Sequence, residues 1–367
     1  MDEFASIQHW TGDRQGACWQ QKRGVTLGIG DDTASIDIGS AEDGIAGPKQ
    51  LLLAVDTMVE KVHFNDSTMS DEDIGYKALA ANISDIAAMG GIPLHALVAI
   101  SVPPSYNAER IRRVYDGLYL CADKYGIAII GGDTTSSPEY LVITVTLTGT
   151  IEKNAEIRRS GAKPGDVIFL TGPIGLSAAG LNLLLMTKVG TARSNLIEDE
   201  LYRALLCAHQ RPSPSVKAGR LLLHSGACHS LNDVSDGLAS EAWEIAEASG
   251  LRLVLYEHRL PKAGSMSAYA SIAGVNPLEW MLYGGEDYVL LGTMSSKLAP
   301  EVRDTFHAEG LPFYIIGETE AGEPAVELLS IYNDGDGKVT VSGKGSAASQ
   351  QEIRQPLQKR GYNHFQR

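Results

Sequence analysis

Residues 73–91 read DIGYKALAANISDIAAMGG, and this stretch predicts a helix over Ile74–Met89 that ends at Gly90. Asp85 lies one turn from the C-terminus of that helix, where a carboxylate faces the negative end of the helix dipole at a cost of about 0.3–1 kcal/mol. Its helical neighbours are small or apolar, which predicts a buried face: Ala78, Ala81, Ala88 and Met89. A half-buried carboxylate at this end of a helix needs a cation, and the chain offers few lysines but many carboxylates. We therefore predict that Asp85 is a metal ligand.

The composition is that of an ordinary globular protein, with 44% hydrophobic and 21% charged residues in a chain of 367, long enough for two or three domains. A formal net charge of −14 argues against non-specific binding to nucleic acid or to an anionic membrane, both of which require basic patches. The four cysteines lie far apart, so their spacing predicts neither a disulfide framework nor a zinc site. Because the N-terminus has no apolar signal segment and no apolar run reaches roughly 18 residues, we expect a cytoplasmic protein.

Short apolar runs alternate with helical patterns, which predicts an α/β fold. Strands are predicted at Leu51–Val55, Ala96–Val102, Ile127–Ile130, Leu141–Leu147, Val167–Leu170, Leu251–Leu255, Tyr288–Gly292 and Phe313–Ile316. Helices are predicted at Ile74–Met89, Ala108–Lys124, Ser177–Met186, Val216–His224 and Leu238–Ala248. A polar segment near Thr150–Pro164 predicts a boundary between domains 1–150 and 151–367. Loops or hairpins are predicted for Ile38–Lys49 and Glu320–Gln351, and NDGDGK at Asn333–Lys338 is predicted to be a turn rather than a calcium loop.

Aspartates stop several apolar strands or precede helices. They are Asp31 and Asp32 in GIGDD, Asp56 in LLLAVDT, Asp133 in IAIIGGDTT, and Asp233 and Asp236, with Ser235 between them, in LNDVSDGL. Singly, each has a structural explanation as a turn residue or a helix N-cap. In α/β folds, however, ligands bind outside the carboxyl ends of strands. Together these oxygen ligands predict a cluster of several Mg²⁺ ions shared with substrate phosphates.

The common nucleotide-binding motifs are missing from the sequence, which has no G-x-x-x-x-G-K-[ST] loop and no G-x-G-x-x-G after a strand. Two glycine-containing loops, Gly131–Asp133 and Ser160–Asp166, have backbone N–H groups that could hold phosphate. Arg158 and Arg159 directly precede the second loop and are suited to bind a phosphate, although a solvated basic pair at a domain boundary is an equal alternative.

The motifs in order are GIGDD, VDTMVEKVHF, DIGYKALAANISDIAAMGGIP, GGDTT, RSGAKPGD, DVSDGL, GGEDY and GYNHF. They span the chain from about Asp2 to Phe365 and resemble those of the thiamine-monophosphate kinases. That family belongs to the superfamily of aminoimidazole ribonucleotide synthetase, selenophosphate synthetase and HypE. The resemblance implies a two-domain, PurM-like α/β fold, in which the sheet of the N-terminal, ATP- and Mg²⁺-binding domain closes a barrel when two subunits form a homodimer. The C-terminal α/β domain would complete the nucleotide and substrate site.

The same resemblance implies direct, ATP-dependent phosphorylation of thiamine monophosphate to thiamine diphosphate. The implied metal ligands are Asp31, Asp56, Asp85, Asp133, Asp233 and Asp236. The implied ATP contacts are Gly132, Asp133, Arg159, Ser235 and Tyr115, and the implied catalytic residues are Asp133, Asp236 and Arg159. Thiamine monophosphate would be bound by His63, Glu286 and Tyr362.

This reaction suits the residues present. The attacking phosphate oxygen is already ionised near neutral pH, so no general base is required. The main obstacle is repulsion between two polyanions, about 4 kcal/mol for unit charges 4 Å apart at an effective dielectric of 20, which Mg²⁺ relieves. Tyr362 and Glu286 are suited to a cationic thiazolium joined to an aminopyrimidine. Taken without the motifs, Tyr362 would be a surface tail residue and Glu286 a turn residue at a strand entry.

Two other classes of function compete with this one. Another synthetase of the superfamily is the nearest, but selenophosphate synthetase would need a reactive cysteine in a glycine-rich N-terminal loop, and Cys18 lacks that setting. HypE would be expected to end in a cysteine-bearing tail, whereas this chain ends in GYNHFQR. A non-catalytic nucleotide-binding scaffold is the second class, and the full set of aspartates argues against it.

Overall fold

The structure is a computed structural model that describes residues 25–27, 34–36, 48–186, 200–333 and 350–362. Its described strands form two mainly antiparallel sheets, one in each half of the chain. Among the described residues, no helix is long and apolar enough to cross a membrane.

The first sheet has six strands in the order β1-β2-β3-β6-β4-β5, and two helices pack on it. The strands are β1 (Val25–Leu27), β2 (Ala34–Ile36), β3 (Lys49–Val59), β4 (Ile92–Val102), β5 (Ala128–Ser136) and β6 (Val142–Glu152), and the helices are α1 (Asp71–Ala88) and α2 (Ala108–Tyr125). Among the strands described in this sheet, β4 and β5 are the one pair that runs parallel. Side chains alternate along β3 between the buried face and the outer face, where Val55 is 60% exposed.

Helix α1 is the central element of this half, and most of its side chains are buried. Ser70 caps its N-terminus by accepting the backbone N–H of Asp73, whose carboxylate accepts the N–H of Ser70 in return. Gly75 allows α2 to approach closely, because a β-carbon there would lie 1.8 Å from the carbonyl oxygen of Val114. The helix predicted over Ile74–Met89 is thus confirmed within a few residues, and its last turn contains no basic residue beside the half-buried Asp85.

The second sheet has seven strands in the order β13-β12-β9-β11-β7-β10-β8, and helices cover it. The strands are β7 (Asp166–Leu170), β8 (Cys228–Asp233), β9 (Arg252–Tyr256), β10 (Leu290–Ser295), β11 (Tyr314–Glu320), β12 (Ala325–Asn333) and β13 (Gln350–Pro356). The helices are α3 (Leu176–Met186), α4 (Glu200–Gln210), α5 (Val216–Ser225), α6 (Leu238–Ser249), α7 (Gly264–Ala273), α8 (Pro277–Tyr283) and α9 (Ala299–Ala308).

All eight predicted strands and all five predicted helices are present, with different ends. The strand predicted from Tyr288 begins at Leu290, because Glu286 and Tyr288 have φ angles of 66° and 51°, which an extended strand excludes. Strands β1, β2 and β8 were not predicted, and neither were α4, α7, α8 and α9. The region predicted as loops or hairpins at Glu320–Gln351 contains β12 and the first two residues of β13, and these two strands pair antiparallel. Residues 334–338 of the predicted turn lie outside the described residues.

The C-terminal end of α1 lies where the two halves meet. Gly219 of α5 packs against it so closely that a β-carbon would lie 2.4 Å from the carbonyl oxygen of Ala87. Arg220 donates a hydrogen bond to the carbonyl of Gly90 (2.8 Å), and Ser84 donates to the carboxylate of Asp233 at the end of β8 (2.5 Å). These contacts fix the helix end that carries Asp85 against the strand end that carries Asp233.

Candidate active site

A cavity of about 480 Å³ lies between the two halves of the molecule. Its wall comes from the end of β3, from α1, α3 and α4, from the loop after β8, from the GGEDY loop and from the segment before residue 362. The cavity therefore gathers residues from distant parts of the sequence. Its lining contains two groups that differ in chemistry, which we call the acidic end (Asp56, Asp85, Asp233 and Asp236) and the other end (Glu286, His63 and Tyr362).

One end of the cavity is acidic. Asp56, Asp85, Asp233 and Asp236 line it, coming from β3, from α1 and from the end of β8 and the loop after it. Burial raises the pKa of Asp56, and its hydrogen bond with Asp85 opposes that effect. Burial also raises the pKa of Asp233 to about 6, against the opposing effects of the Ser84 hydrogen bond and the charge of Arg159. Burial destabilises the ionised form of these two carboxylates, and a bound cation would stabilise that form.

The acidic end suits Mg²⁺ only as part of a larger ligand set. In the part of the chain that the structure describes, no three His, Cys, Asp or Glu side chains form a group that could hold a metal ion by themselves. Mg²⁺ binds to proteins through one or two carboxylates and completes its shell with water and substrate phosphates. The oxygen-only ligands of this end fit that mode, while the predicted ligand Asp31 lies outside the described residues.

The loop that carries Ser235 and Asp236 is held by Glu241 of α6, a residue that the sequence did not indicate. The Glu241 carboxylate accepts hydrogen bonds from the backbone N–H of Asp236 (3.0 Å) and from Asn232 Nδ2 (2.6 Å). Burial and the neighbouring carboxylates raise the pKa of Glu241 well above its usual value. Arg159 is held next to this group: its Nε donates to Asn232 Oδ1 (3.1 Å) and its Nη1 pairs with Glu244 (3.2 Å).

The GGEDY loop holds Glu286 in the cavity wall at the other end. The Glu286 N–H donates to the carbonyl of Ser235 (2.7 Å), and a β-carbon on Gly285 would lie 2.2 Å from that same oxygen. Asp287 accepts the backbone N–H groups of Gly175 (2.5 Å) and Ser177 (3.1 Å) at the start of α3, and burial raises its pKa to about 7. The loop is thus fixed on both sides, with Glu286 and Tyr288 in the left-handed region.

Two further residues lie close to the Glu286 carboxylate, and one of them, His209, also lines the cavity. Lys77 of α1 is completely buried, with its Nζ 2.6 Å from Glu286 Oε2. His209 of α4 is 1% exposed, and its Nδ1 lies 3.4 Å from the same oxygen and 3.1 Å from Ser177 Oγ. Neither residue was predicted. The only sequence signal was a lysine within a helix whose neighbouring residues are small or apolar.

His63 and Tyr362, two of the three predicted acceptor-binding residues, lie near each other at the cavity. Their ring centroids are 6.2 Å apart, and both side chains line the wall. The backbone N–H of Val59 donates to His63 Nδ1 (2.9 Å). Gly361 lets the chain reach the cavity, since a β-carbon there would lie 2.4 Å from the carbonyl oxygen of Asp236.

Four of the five predicted ATP contacts do not line the cavity: Gly132, Asp133, Arg159 and Tyr115. Gly132 and Asp133 are exposed on the edge strand β5, and Tyr115 of α2 packs on the core of the first half. In the register of the sheet, Asp56 of β3 pairs with Val145 of β6, Val145 pairs with Val98 of β4, and Val98 pairs with Gly132 of β5. Three strand spacings of about 4.8 Å therefore separate Asp56 from that edge. A single chain therefore does not bring Asp133 to the other aspartates.

Two family models match the chain in tandem, the N-terminal domain of AIR synthase related protein over residues 30–151 and its C-terminal domain over residues 163–328. The thiamine-monophosphate kinase of Bacillus subtilis (strain 168) is 40% identical over 344 residues, which are 93% of this chain and 94% of that protein. The chain belongs to the thiamine-monophosphate kinase family. A second member of the thiamine-monophosphate kinases, from Aquifex aeolicus (strain VF5), is 35% identical over 265 residues, 72% of this chain and 80% of its own.

Solved structures of the thiamine-monophosphate kinase family share the fold. AaThiL complexed with AMPPCP and TMP has a TM-score of 0.77 at 29% identity and covers 99% of this chain and 97% of its own. The enzyme from Stenotrophomonas maltophilia K279a has a TM-score of 0.69 at 30% identity, over 88% and 94% of the two chains. HypE in complex with ATP has a TM-score of 0.62 at 19% identity, a likeness of fold alone. The expectation of a two-domain α/β fold of this superfamily is confirmed.

Proposed function

We propose that this protein transfers the γ-phosphoryl group of ATP to thiamine monophosphate and forms thiamine diphosphate and ADP. The observation that carries the proposal is the cavity, which joins an acidic end for metal-bound phosphates to an end with a carboxylate and two aromatic rings. The family relatives support it, because they are named thiamine-monophosphate kinases and one was solved with AMPPCP and TMP.

The acidic end is the proposed Mg²⁺ site, with Asp56, Asp85, Asp233 and Asp236 as ligands and Asp31 and Asp133 completing the predicted set. Bound Mg²⁺ would supply the positive charge that lets two polyphosphates approach each other. The chain itself orients these carboxylates: Ser84 holds Asp233, and Glu241 holds the backbone of Asp236.

Arg159 is the proposed protein cation for the ATP phosphates. Asn232 and Glu244 hold its guanidinium in place, so little side-chain entropy would be lost when it binds a phosphate. Ser235 is the proposed polar contact beside it, and Asp236 and Asp133 are the other proposed catalytic residues. Because the acceptor phosphate is already ionised, the proposed reaction needs alignment and charge neutralisation and no general base.

The opposite end of the cavity is proposed to bind the thiamine moiety. The Glu286 carboxylate is suited to accept a hydrogen bond from the pyrimidine amino group. His63 and Tyr362 offer ring faces to the planar, cationic remainder of the acceptor.

The outer face of the first sheet is the proposed dimer surface. Val55 of β3 and Leu97 of β4 lie on it and are 60% and 43% exposed, which is unusual for apolar residues in the middle of a sheet. Closing two such sheets into a barrel would bury them, and it would make domain 1–150 the dimerisation domain and domain 151–367 the one that completes the site. Gly132, Asp133 and Tyr115 lie in the first of these domains, so a second subunit is the proposed source of their contacts with ATP.

The direct test is incubation of the purified protein with ATP, Mg²⁺ and thiamine monophosphate, with thiamine diphosphate measured by chromatography. Stoichiometric thiamine diphosphate and ADP are expected. Aminoimidazole ribonucleotide precursors and selenide serve as competing acceptors, and turnover of one of them without thiamine diphosphate would overturn the proposal. Light scattering of the same sample tests the dimer, which a monomeric mass would exclude.

A further inference from the structure

The buried position of Lys77 has no evident structural purpose. Its side chain is 0% exposed in the middle of α1, and it forms an ion pair with Glu286, which is 28% exposed in the cavity wall. Burying an ammonium group is costly, and apolar residues of similar volume usually stabilise a fold at least as well as a buried ion pair. A lysine that only joined α1 to the GGEDY loop would therefore be a poor choice.

His209 meets the same carboxylate oxygen from a second direction. Its Nδ1 is 3.4 Å from Glu286 Oε2, and Ser177 Oγ lies 3.1 Å from that nitrogen. Burial and the charge of Lys77 lower the pKa of His209 to about 2, so the imidazole is neutral. A neutral imidazole has one N–H, and a carboxylate neighbour favours that hydrogen on Nδ1.

The backbone of the loop adds a third restraint. Glu286 has a φ of 66°, a conformation that costs a residue with a side chain free energy and persists only where the surroundings impose it. Lys77 and His209 both approach Oε2, and the strained backbone fixes the base of the side chain. These restraints fix the position of the Glu286 carboxylate, which remains partly accessible from the cavity.

We propose that Lys77 and His209 are positioning residues that hold Glu286 so that its carboxylate recognises a hydrogen-bond donor on the acceptor, the amino group of a planar nitrogen heterocycle. The inference rests on the proposed function and deepens it. Because Lys77 already balances the charge of Glu286, the Glu286 carboxylate recognises an N–H donor of the substrate rather than the positive charge of its thiazolium ring. A substrate analogue with a carbonyl oxygen in place of the amino group would bring two hydrogen-bond acceptors, its oxygen and the Glu286 carboxylate, face to face. We therefore expect that analogue to be rejected.

The test compares Lys77→Met with Glu286→Gln, the double variant and the wild type. For Lys77→Met we expect the KM for thiamine monophosphate to rise about tenfold or more, with kcat and the KM for ATP changed less than about threefold. Its Tm should be unchanged or higher, because the buried charge is gone. The preference for the amino acceptor over its carbonyl analogue should fall in parallel. Lys217→Met is the matched control, since it removes a surface lysine paired with Glu309 (2.8 Å) and should change none of these quantities.

The double variant separates positioning from an independent role. If Lys77 acts through Glu286, Lys77→Met should raise the acceptor KM little further in the Glu286→Gln background, whereas two independent contributions would multiply. His209→Leu should raise the same KM by about threefold, and His209→Asn, which keeps an N–H near the position of Nδ1, should restore most of the loss. The histidine pair also keeps the test available if Lys77→Met does not fold.

The possible failures are distinguishable. Absence of thiamine diphosphate with the wild type would overturn the proposed function itself. If the wild type turns over and Glu286→Gln raises the acceptor KM while Lys77→Met and His209→Leu do not, the positioning role is wrong and the function stands. Equal rises in both KM values, together with a lower Tm in Lys77→Met, would make Lys77 structural and overturn the inference.

Discussion

The two ends of the cavity solve the problem of buried charge in opposite ways. At the acceptor end, Glu286 faces a buried lysine of the same chain at 2.6 Å. At the acidic end, Asp56 faces Asp85, and the pKa values of Asp56 and Asp233 are raised because burial outweighs the polar contacts available to them. One end therefore carries its own counter-charge, while the other is the proposed Mg²⁺ site.

Helix α1 supplies a residue to each end, and the contrast follows from where they lie along it. Lys77 is in the middle of the helix, far from either dipole end, and projects towards the second half of the molecule. Asp85 is in the last turn, which has no basic residue, and faces the negative end of the dipole. For helix stability alone, the two charges would be better placed the other way round, and the proposed roles in ligand binding account for the arrangement.

We expect the largest loss of activity for Asp85→Asn, which removes a carboxylate of the acidic end. Activity should fall by about a thousandfold or more, since a metal ligand next to transferring phosphate is lost. The Tm of the metal-free protein should stay the same or rise slightly, because an unfavourable dipole interaction of about 0.3–1 kcal/mol disappears. Steady-state kinetics and thermal unfolding without Mg²⁺ check the two halves of this prediction.

Asp123→Asn is the matched control for Asp85→Asn. Asp123 is an exposed carboxylate near the C-terminal end of α2, so its removal relieves a similar dipole interaction without touching the cavity. Its variant should keep full activity. Unfolding of Asp85→Asn would show that Asp85 has a structural role. Equal activity of the two variants would show that the reaction does not depend on Asp85 as a metal ligand.

The second effect belongs to the acceptor end and is smaller. Tyr362→Ala should raise the KM for thiamine monophosphate by about three- to tenfold, in line with about 0.5–1 kcal/mol for an exposed cation–π contact plus lost ring stacking. The ring is 46% exposed, which argues for the lower part of that range. The KM for ATP should change little. Tyr362→Phe keeps the ring and should behave as the wild type, and equal losses for both substrates would contradict the separation of the two ends.

The sequence predicted what depends on local pattern. The helix over residues 74–89 and the strand around Leu51–Val55 were found because apolar periodicity and glycine stops are local properties. The short strand Cys228–Asp233 was missed because CHSLND is half polar and its pairing partner, β10, is distant in sequence. The structure places Asp56, Asp85, Asp233 and Asp236 in one wall, and the strand-end aspartates had suggested that they would meet.

Other parts of the site depend on facts that a sequence does not display. Asp133 followed the same strand-end pattern as Asp56, yet the strand order β3-β6-β4-β5 sets it at the far edge of the sheet. Glu241 and Lys77 were ordinary helical charges until the fold showed what faces them: the Asp236 backbone for one and Glu286 for the other.

The smallest effect concerns the free energy of unfolding of the metal-free protein, which should depend on pH through the aspartates of the acidic end. Asp233 has a pKa of about 6 in the folded protein against 3.8 in the unfolded chain. Between these values the folded state binds more protons than the unfolded state, so the free energy of unfolding of the metal-free protein falls as pH rises from about 4 to about 6, by roughly 3 kcal/mol at most. Asp56 is shifted in the same direction and adds to the trend.

Mg²⁺ should reverse that loss, because it competes with protons for the same carboxylates. We expect Mg²⁺ to raise the Tm little at pH 5 and by a few degrees at pH 8, at about 2 °C per kcal/mol for a protein of this size. Lys77→Met should keep the same pH-dependent Mg²⁺ effect, since its charge lies at the other end of the cavity. Calorimetry across this pH range decides the matter: a Mg²⁺ effect of equal size at pH 5 and pH 8 would mean that the ion does not bind where the protons are held.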